Sequence, residues 1–243
     1  MKLDILAIAA HPDDVELGCS GMLMMEKLRG KKVGIVDLTQ GELGSRGTIE
    51  TRYEEAQAAL AIMGLDVREN LALADGFFAN DRAHQLEVIT AIRKYRPDII
   101  VTNAPADRHP DHGRAAQLVK EAAWLSGLLK IETHFNGQPQ LHWRPSYVFH
   151  FIQDKYLEPH FVYDISPVIE KKVEAIKAFA TQFNAPPQDE APKTYISSPQ
   201  FLQGIVERAA SFGRVVGVPY AEGFLTDKLL AVQNLDSFIQ RPT

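Results

Sequence analysis

The chain predicts an α/β fold, a Rossmann-like, mostly parallel sheet with helices on both faces. Two observations carry this. Through about the first 150 residues, short apolar runs of strand length alternate with longer segments of helical periodicity, joined by short links. The runs "LDILAIAA" (3–10) and "DIIVTNAP" (98–105) are also nearly continuous in apolar character, as strands covered on both faces are.

Taken in order, "LDILAIAA" is the first strand, and "SGMLMMEKLRG" (20–30) is a helix closed by Gly30. "KVGIVDLT" (32–39) is the second strand and leads into the glycine-punctuated loop "QGELGSRGT". A helix follows over 49–64, then a weaker third strand in "ENLALADG", a helix over 84–97 stopped by Pro97, and the strand at 98–105. The segment 113–127 is helical and 128–145 reads as loop. Strands are expected at 146–152 and 160–165. Ser166 caps an amphipathic helix over 166–183, with Pro167 at its first position. A proline-rich loop (184–195) and a last helix (198–213) complete the pattern. No repeat or linker divides the chain, so one domain over 1–243 is expected.

Composition narrows the function. The 243 residues are 45% hydrophobic, enough for one sizeable core. The net charge of −5 argues against nucleic acid or an anionic membrane as the main partner. Cys19 is the only cysteine, which rules out an intrachain disulfide and fits a reducing compartment. The apolar N-terminal run is interrupted at Asp4 and too short for a signal peptide or membrane span. A cytoplasmic location is expected.

The chemistry is concentrated in "AHPDDVELG" (10–18) and "DRHPDHGR" (107–114). Each lies past the end of a predicted strand, where ligands gather in open α/β sheets. Each places His-Pro-Asp before a helical run. Residues three apart share a face of a helical turn, which sets His11 near Asp14 and His109 near His112. Two adjacent carboxylates repel, and a simple cap needs only one of them. A metal site uses both: His11, Asp14 and one histidine of the second cluster are ligands, with a position left open for water, and Asp13 is the general base. The same ligand types also suit a non-haem iron centre, or a structural metal in a non-catalytic sugar- or nucleotide-binding module.

The two motifs together resemble the PIG-L/LmbE-type zinc N-deacetylases, and the resemblance extends through "GELGSRGT", "TRYEEAQ", "HFVYDIS" and "GVPYAEGF". It implies zinc, or another divalent ion such as Fe2+, on His11, Asp14 and His112. It implies Asp13 as base and His109 as the oxyanion-stabilising group, kept protonated by Asp111. Arg52 matches the family's substrate-contacting arginine. The "DRHPDH" form is most similar to the bacillithiol branch, which deacetylates N-acetylglucosaminyl-malate; chito-oligosaccharide-like substrates are the alternative. Arg108 and Arg46 are then candidate partners for the malyl carboxylates, and Asp75 for sugar hydroxyls. Tyr195 and "YAEGF" are placed at the mouth of the pocket, and a homo-oligomer such as a hexamer is implied. His84, near a helix start, and His134, His142, His150 and His160, in loops or on the surface, are expected to lie outside the site.

Overall fold

The structure, a computed structural model, describes residues 1–183, 194–232 and 234–235. Its centre is β1 (Ile5–Ala9), with β2 (Val33–Thr39) and then β3 (Val67–Leu73) on one side, and β4 (Ile99–Asn103) on the other. All four run parallel. Beyond β4 lie β7 (Tyr147–Phe151), parallel to it, then β9 (Ala221–Thr226) and the edge strand β8 (Phe161–Asp164), with β9 antiparallel to both neighbours. A small hairpin, β5 (His134–Phe135) and β6 (Gln138–Pro139), interrupts the segment expected to be loop.

Successive residues of β1 feed opposite faces, which is why the run is apolar throughout. Ile5, Ala7 and Ala9 pack under α1 (Asp14–Gly18), α2 (Ser20–Leu28), α3 (Ile49–Met63), α6 (Ile169–Lys177) and α8 (Pro199–Val216). Leu6, Ile8 and Ala10 pack under α4 (Arg82–Tyr95) and α5 (Pro110–Leu125). The chain moves from β1 outward to β2 and β3, then returns to place β4 on the other flank. The crevice at that reversal, past the C-terminal ends of β1 and β4, is where an open sheet of this kind takes its ligand.

Several elements differ from expectation. The helix read over 166–183 is a 3-10 turn (Ser166–Val168), then α6, then a separate α7 (Ala180–Phe183). The strand in "YAEGF" has no alternating pattern because it is inserted between two others, buried at Ala221–Phe224. The helix after the second motif begins at Pro110, three residues earlier than expected. The proline-rich 184–193 lies outside the described residues.

"DVELGCSG" makes two helices, not one, because Cys19 leaves helical geometry (φ −146°, ψ 8°). A buried ion pair stitches the break. Lys172 Nζ donates to the carbonyls of Glu16 and Leu17 at the end of α1 and to Glu222 Oε1 at 2.8 Å. Glu222 accepts from the N–H groups of Gly21 and Met22 at the start of α2. Each charge thus meets the helix end whose exposed backbone groups have the opposite sign. Lys172→Met should leave Glu222 a buried uncompensated charge and lower stability by about 3–5 kcal/mol. Urea unfolding measures it, and an unchanged midpoint would show the pair to be dispensable.

Candidate active site

The two motifs meet in the crevice. Past β1 the backbone turns sharply, and Asp13 is held at φ 127°, ψ −25°, a region that L side chains rarely adopt and that costs about 1–3 kcal/mol. The turn splits the adjacent carboxylates. Asp14 faces inward, accepting from the His11 N–H at 3.0 Å, Asn103 Nδ2 at 3.1 Å and Gln153 Nε2 at 2.8 Å. Asp13 lines the cavity, with Arg52 Nη1 3.4 Å from its Oδ2.

Two imidazoles flank Asp14, with His11 Nδ1 3.5 Å from Oδ2 and His112 Nε2 3.1 Å from Oδ1. The far nitrogen of each is tied to an outer carboxylate. His11 Nε2 lies 3.0 Å from Asp75 and 3.4 Å from Asp111, and His112 Nδ1 lies 2.7 Å from Asp107. Carboxylates behind histidines in this way fix ring orientation and tautomer, as they do behind metal-bound imidazoles. The rings of His11, His109 and His112 converge, with centroids 4.8–5.7 Å apart.

Proline at the first position of α5 leaves His109 as the helix cap. Its Nδ1 accepts from the Asp111 N–H at 3.3 Å, which leaves Nε2 to carry the proton of a neutral ring. The expectation that the Asp111 carboxylate holds a second proton on His109 is corrected. That carboxylate is turned to His11, the Gly76 N–H and Arg114. Burial, then the charges of His11 and His112, push His109 below the usual imidazole range.

The other groups divide sharply. Burial raises Asp13 to about 7, against the Arg52 charge that lowers it and with Asp14 adding to the rise. Asp14 is held well below the carboxylate range despite its burial, because His112 and His11 face it. Burial likewise opposes charge on His112, yet Asp14 and Asp107 raise it to about 9. The environment therefore pulls two neighbouring carboxyls apart, Asp14 held as an anion and Asp13 lifted toward neutrality.

A cavity of about 220 Å³ opens over these groups, lined also by Gly41, Leu43 and Gly44 of the glycine loop, by Arg52 and by Arg108. Gly41 has φ 67°, and a Cβ there would fall 2.9 Å from Arg52 Nη2, so the loop reaches the arginine only as glycine. Arg52 Nε and Nη1 are buried with no hydrogen-bond partner. Arg108 is exposed at the rim, paired with Asp154 and 5.0 Å over the Tyr195 ring. The two remaining expected substrate contacts differ. Arg46 is not among the described residues lining the cavity, and its Nε donates to the Thr181 carbonyl at 2.7 Å. Asp75 borders the cavity, but its two oxygens are engaged by His11 and the Leu43 N–H, which hold it near 2 in spite of partial burial.

Tyr195 lies under Arg108 and lines a neighbouring cavity, whereas "YAEGF" forms β9 and sends Glu222 to Lys172. His150 is buried rather than exposed, its Nδ1 2.8 Å from the Asn103 carbonyl. Asn103, Asp107 and Gln153 were not found from sequence. Position at or just past the ends of β4 and β7 was the one available signal, shared with many loop residues.

The donor set fits a divalent ion. Two imidazole nitrogens face a single carboxylate, their outer nitrogens are anchored, and a third imidazole stands within reach. His11, Asp75 and Asp111 also cluster, but that arrangement would use the nitrogen that anchors His11. An ion on the inner set would take the place of the protons that the surrounding carboxylates favour on the rings.

Such a fold and site suit a hydrolase with room for a divalent ion, and the known proteins it resembles include deacetylases. The PIG-L family model, GlcNAc-PI de-N-acetylase, matches residues 6–123. The crystal structure of a conserved protein from Thermus thermophilus is 35% identical, with a TM-score of 0.84, covering 95% of this chain and 98% of that one. The diacetylchitobiose deacetylase of Thermococcus kodakarensis is 28% identical over 232 residues, 90% of this chain and 81% of its own. A probable N-acetyl-alpha-D-glucosaminyl L-malate deacetylase 2 of Bacillus anthracis is 25% identical over 195 residues, 74% of this chain and 81% of its own. The chain belongs to the PIG-L family of de-N-acetylases and is an enzyme that hydrolyses amide bonds. No helix among the described residues is long and apolar enough to cross a membrane.

Proposed function

We propose that this enzyme is a zinc-dependent deacetylase that removes the acetyl group from an N-acetylglucosamine conjugate, leaving acetate and a free amine. The observation that carries the reading is the division of Asp13 and Asp14 beside two anchored imidazoles. His11, Asp14 and His112 would hold the ion. When bound, the ion supplies Lewis-acid polarisation of the amide carbonyl and a water of lowered pKa. Asp13 takes the proton of the attacking water and hands it to the departing amine. His109 donates from Nε2 to the oxyanion as it develops, and this needs no full charge on the ring. Asp111 positions both histidines, His11 through its carboxylate and His109 through its N–H. Arg52 turns its unfilled donors to substrate oxygens.

For the group attached to the sugar, N-acetylglucosaminyl-L-malate is supported by the Arg108 cation at the rim. A chito-oligosaccharide is supported equally by the likeness to a diacetylchitobiose deacetylase over most of the chain. A cytoplasmic homo-oligomer goes with the reading, on the family resemblance alone. Acetate release from N,N'-diacetylchitobiose and from N-acetylglucosaminyl-malate tests it. Release should stop on chelation and return with added zinc. Metal-loaded protein that frees acetate from no N-acetylglucosamine conjugate would overturn it.

A further inference from the structure

A second cavity, of about 580 Å³, adjoins the first, and Asp154 and Phe201 form part of the wall of both. One face of α8 supplies most of its lining, with Phe201, Ile205, Arg208 and Phe212 at helical spacing. Tyr195 packs edge-on against Phe201 at 5.2 Å, and Tyr156 stacks on Phe212 at 6.2 Å, so the walls are aromatic. Arg208 is the cation among them.

Arg208 is half-buried, and no described residue gives it a hydrogen bond or an ion pair. The nearby carboxylate of the wall, Asp154, is already engaged by Arg108 and by the Tyr195 hydroxyl. Two neighbouring guanidiniums are occupied, Arg114 by Asp111 and Arg68 by Asp37 and Glu16, while Arg52 turns its open donors to the first cavity. A guanidinium carries five N–H donors in a planar fork matched to two oxygens of a carboxylate or phosphate. Burial disfavours its charge and pushes Arg208 down, and the carboxylates of Asp154, Asp107 and Glu222, none of them in contact with it, offset this only in part. An anion arriving from the neighbouring cavity removes that penalty and fills the fork. Neutral hydroxyls would fill some donors but add no opposite charge at contact distance.

We propose that this cavity is the second subsite of the enzyme, taking the group carried by the amino sugar, and that Arg208 selects an anionic group there, a carboxylate or a phosphate. The proposal rests on the deacetylase reading for what occupies the first cavity. It moves recognition of the anion to the last helix, from Arg108, which Asp154 already pairs, and from Arg46, which is turned to α7.

The test compares the wild-type, R208Q and R208K proteins, metal-loaded and full length. The substrates are N-acetylglucosaminyl-malate, N-acetylglucosamine 1-phosphate and neutral N,N'-diacetylchitobiose. In R208Q the ratio of kcat/KM for an anionic over the neutral substrate should fall about tenfold or more, mainly through KM. R208K keeps the charge without the fork and should fall between the two, which reads the site even if R208Q folds poorly. A loss confined to the malyl or to the phosphate compound identifies the anion. An unchanged ratio, or an equal loss on the neutral disaccharide, overturns the proposal. Calorimetric binding of the deacetylated product, glucosaminyl-malate, reads the subsite without turnover. Weakening of about tenfold in R208Q supports the subsite even if no acetate is released, so its failure and that of the deacetylase reading are separable.

Discussion

Asp13→Asn should bind metal as the native enzyme does and lose about 10²–10⁴ in kcat, the usual range for removal of a general base. The amide keeps the size of the carboxyl, so the tight turn at φ 127° and the contact with Arg52 are retained. What is lost is the group whose burial places it near neutrality, able to take a proton and return it. Metal content by elemental analysis and acetate release on the same preparation decide it. Native turnover would remove Asp13 from the mechanism. Loss of metal together with rate would make it a ligand.

Asp14→Ala or His112→Ala should remove metal and activity together. Each takes away a group that directly faces the inner space between the imidazoles. The loss in affinity should exceed the ~10–100-fold that removing only an outer partner of a metal-bound histidine costs. His109→Ala separates the two arrangements that the convergence of three rings allows. As an oxyanion donor it should keep the metal and lose about 10²–10³ in kcat. If His109→Ala emptied the site while Asp14→Ala left it filled, three histidines would be the ligands and Asp14 an outer support.

Much of the architecture was legible because burial on both faces leaves a plain mark. "LDILAIAA", "KVGIVDLT" and "DIIVTNAP" read as strands, and each lies within one residue or two of its observed bounds. Capping chemistry also reads directly. Gly64 adopts the left-handed conformation at the end of α3, and Ser198 caps α8 with Pro199 behind it. β9 was not legible. It runs antiparallel among strands from distant parts of the chain, and Glu222 within it is buried for the sake of Lys172 fifty residues away. Local pattern cannot report a partner at that separation. The break in the helix over 166–183 has the same origin: α7 turns aside so that its Thr181 meets Glu55 and the glycine loop meets Gln182.

The sequence by itself determined where the candidate site residues cluster. His-Pro-Asp past a buried strand, twice, sets two pairs at a spacing of three; His109 caps the helix that carries His112, whereas His11 is brought to Asp14 by the sharp turn at Asp13, outside any helix. It also determined that both motifs lie at strand exits, because the strand pattern precedes them. Only the tertiary structure decided what each member faces. Asp111 turned to His11 instead of His109, Asp75 became an anchor for an imidazole, Arg46 went to α7, and Asn103, Asp107 and Gln153 closed around Asp14 and His112. The physical reason is that a buried polar atom must find a partner, and which partner is nearest depends on strand order and helix packing across tens of residues. Spacing along the chain says nothing about that distance.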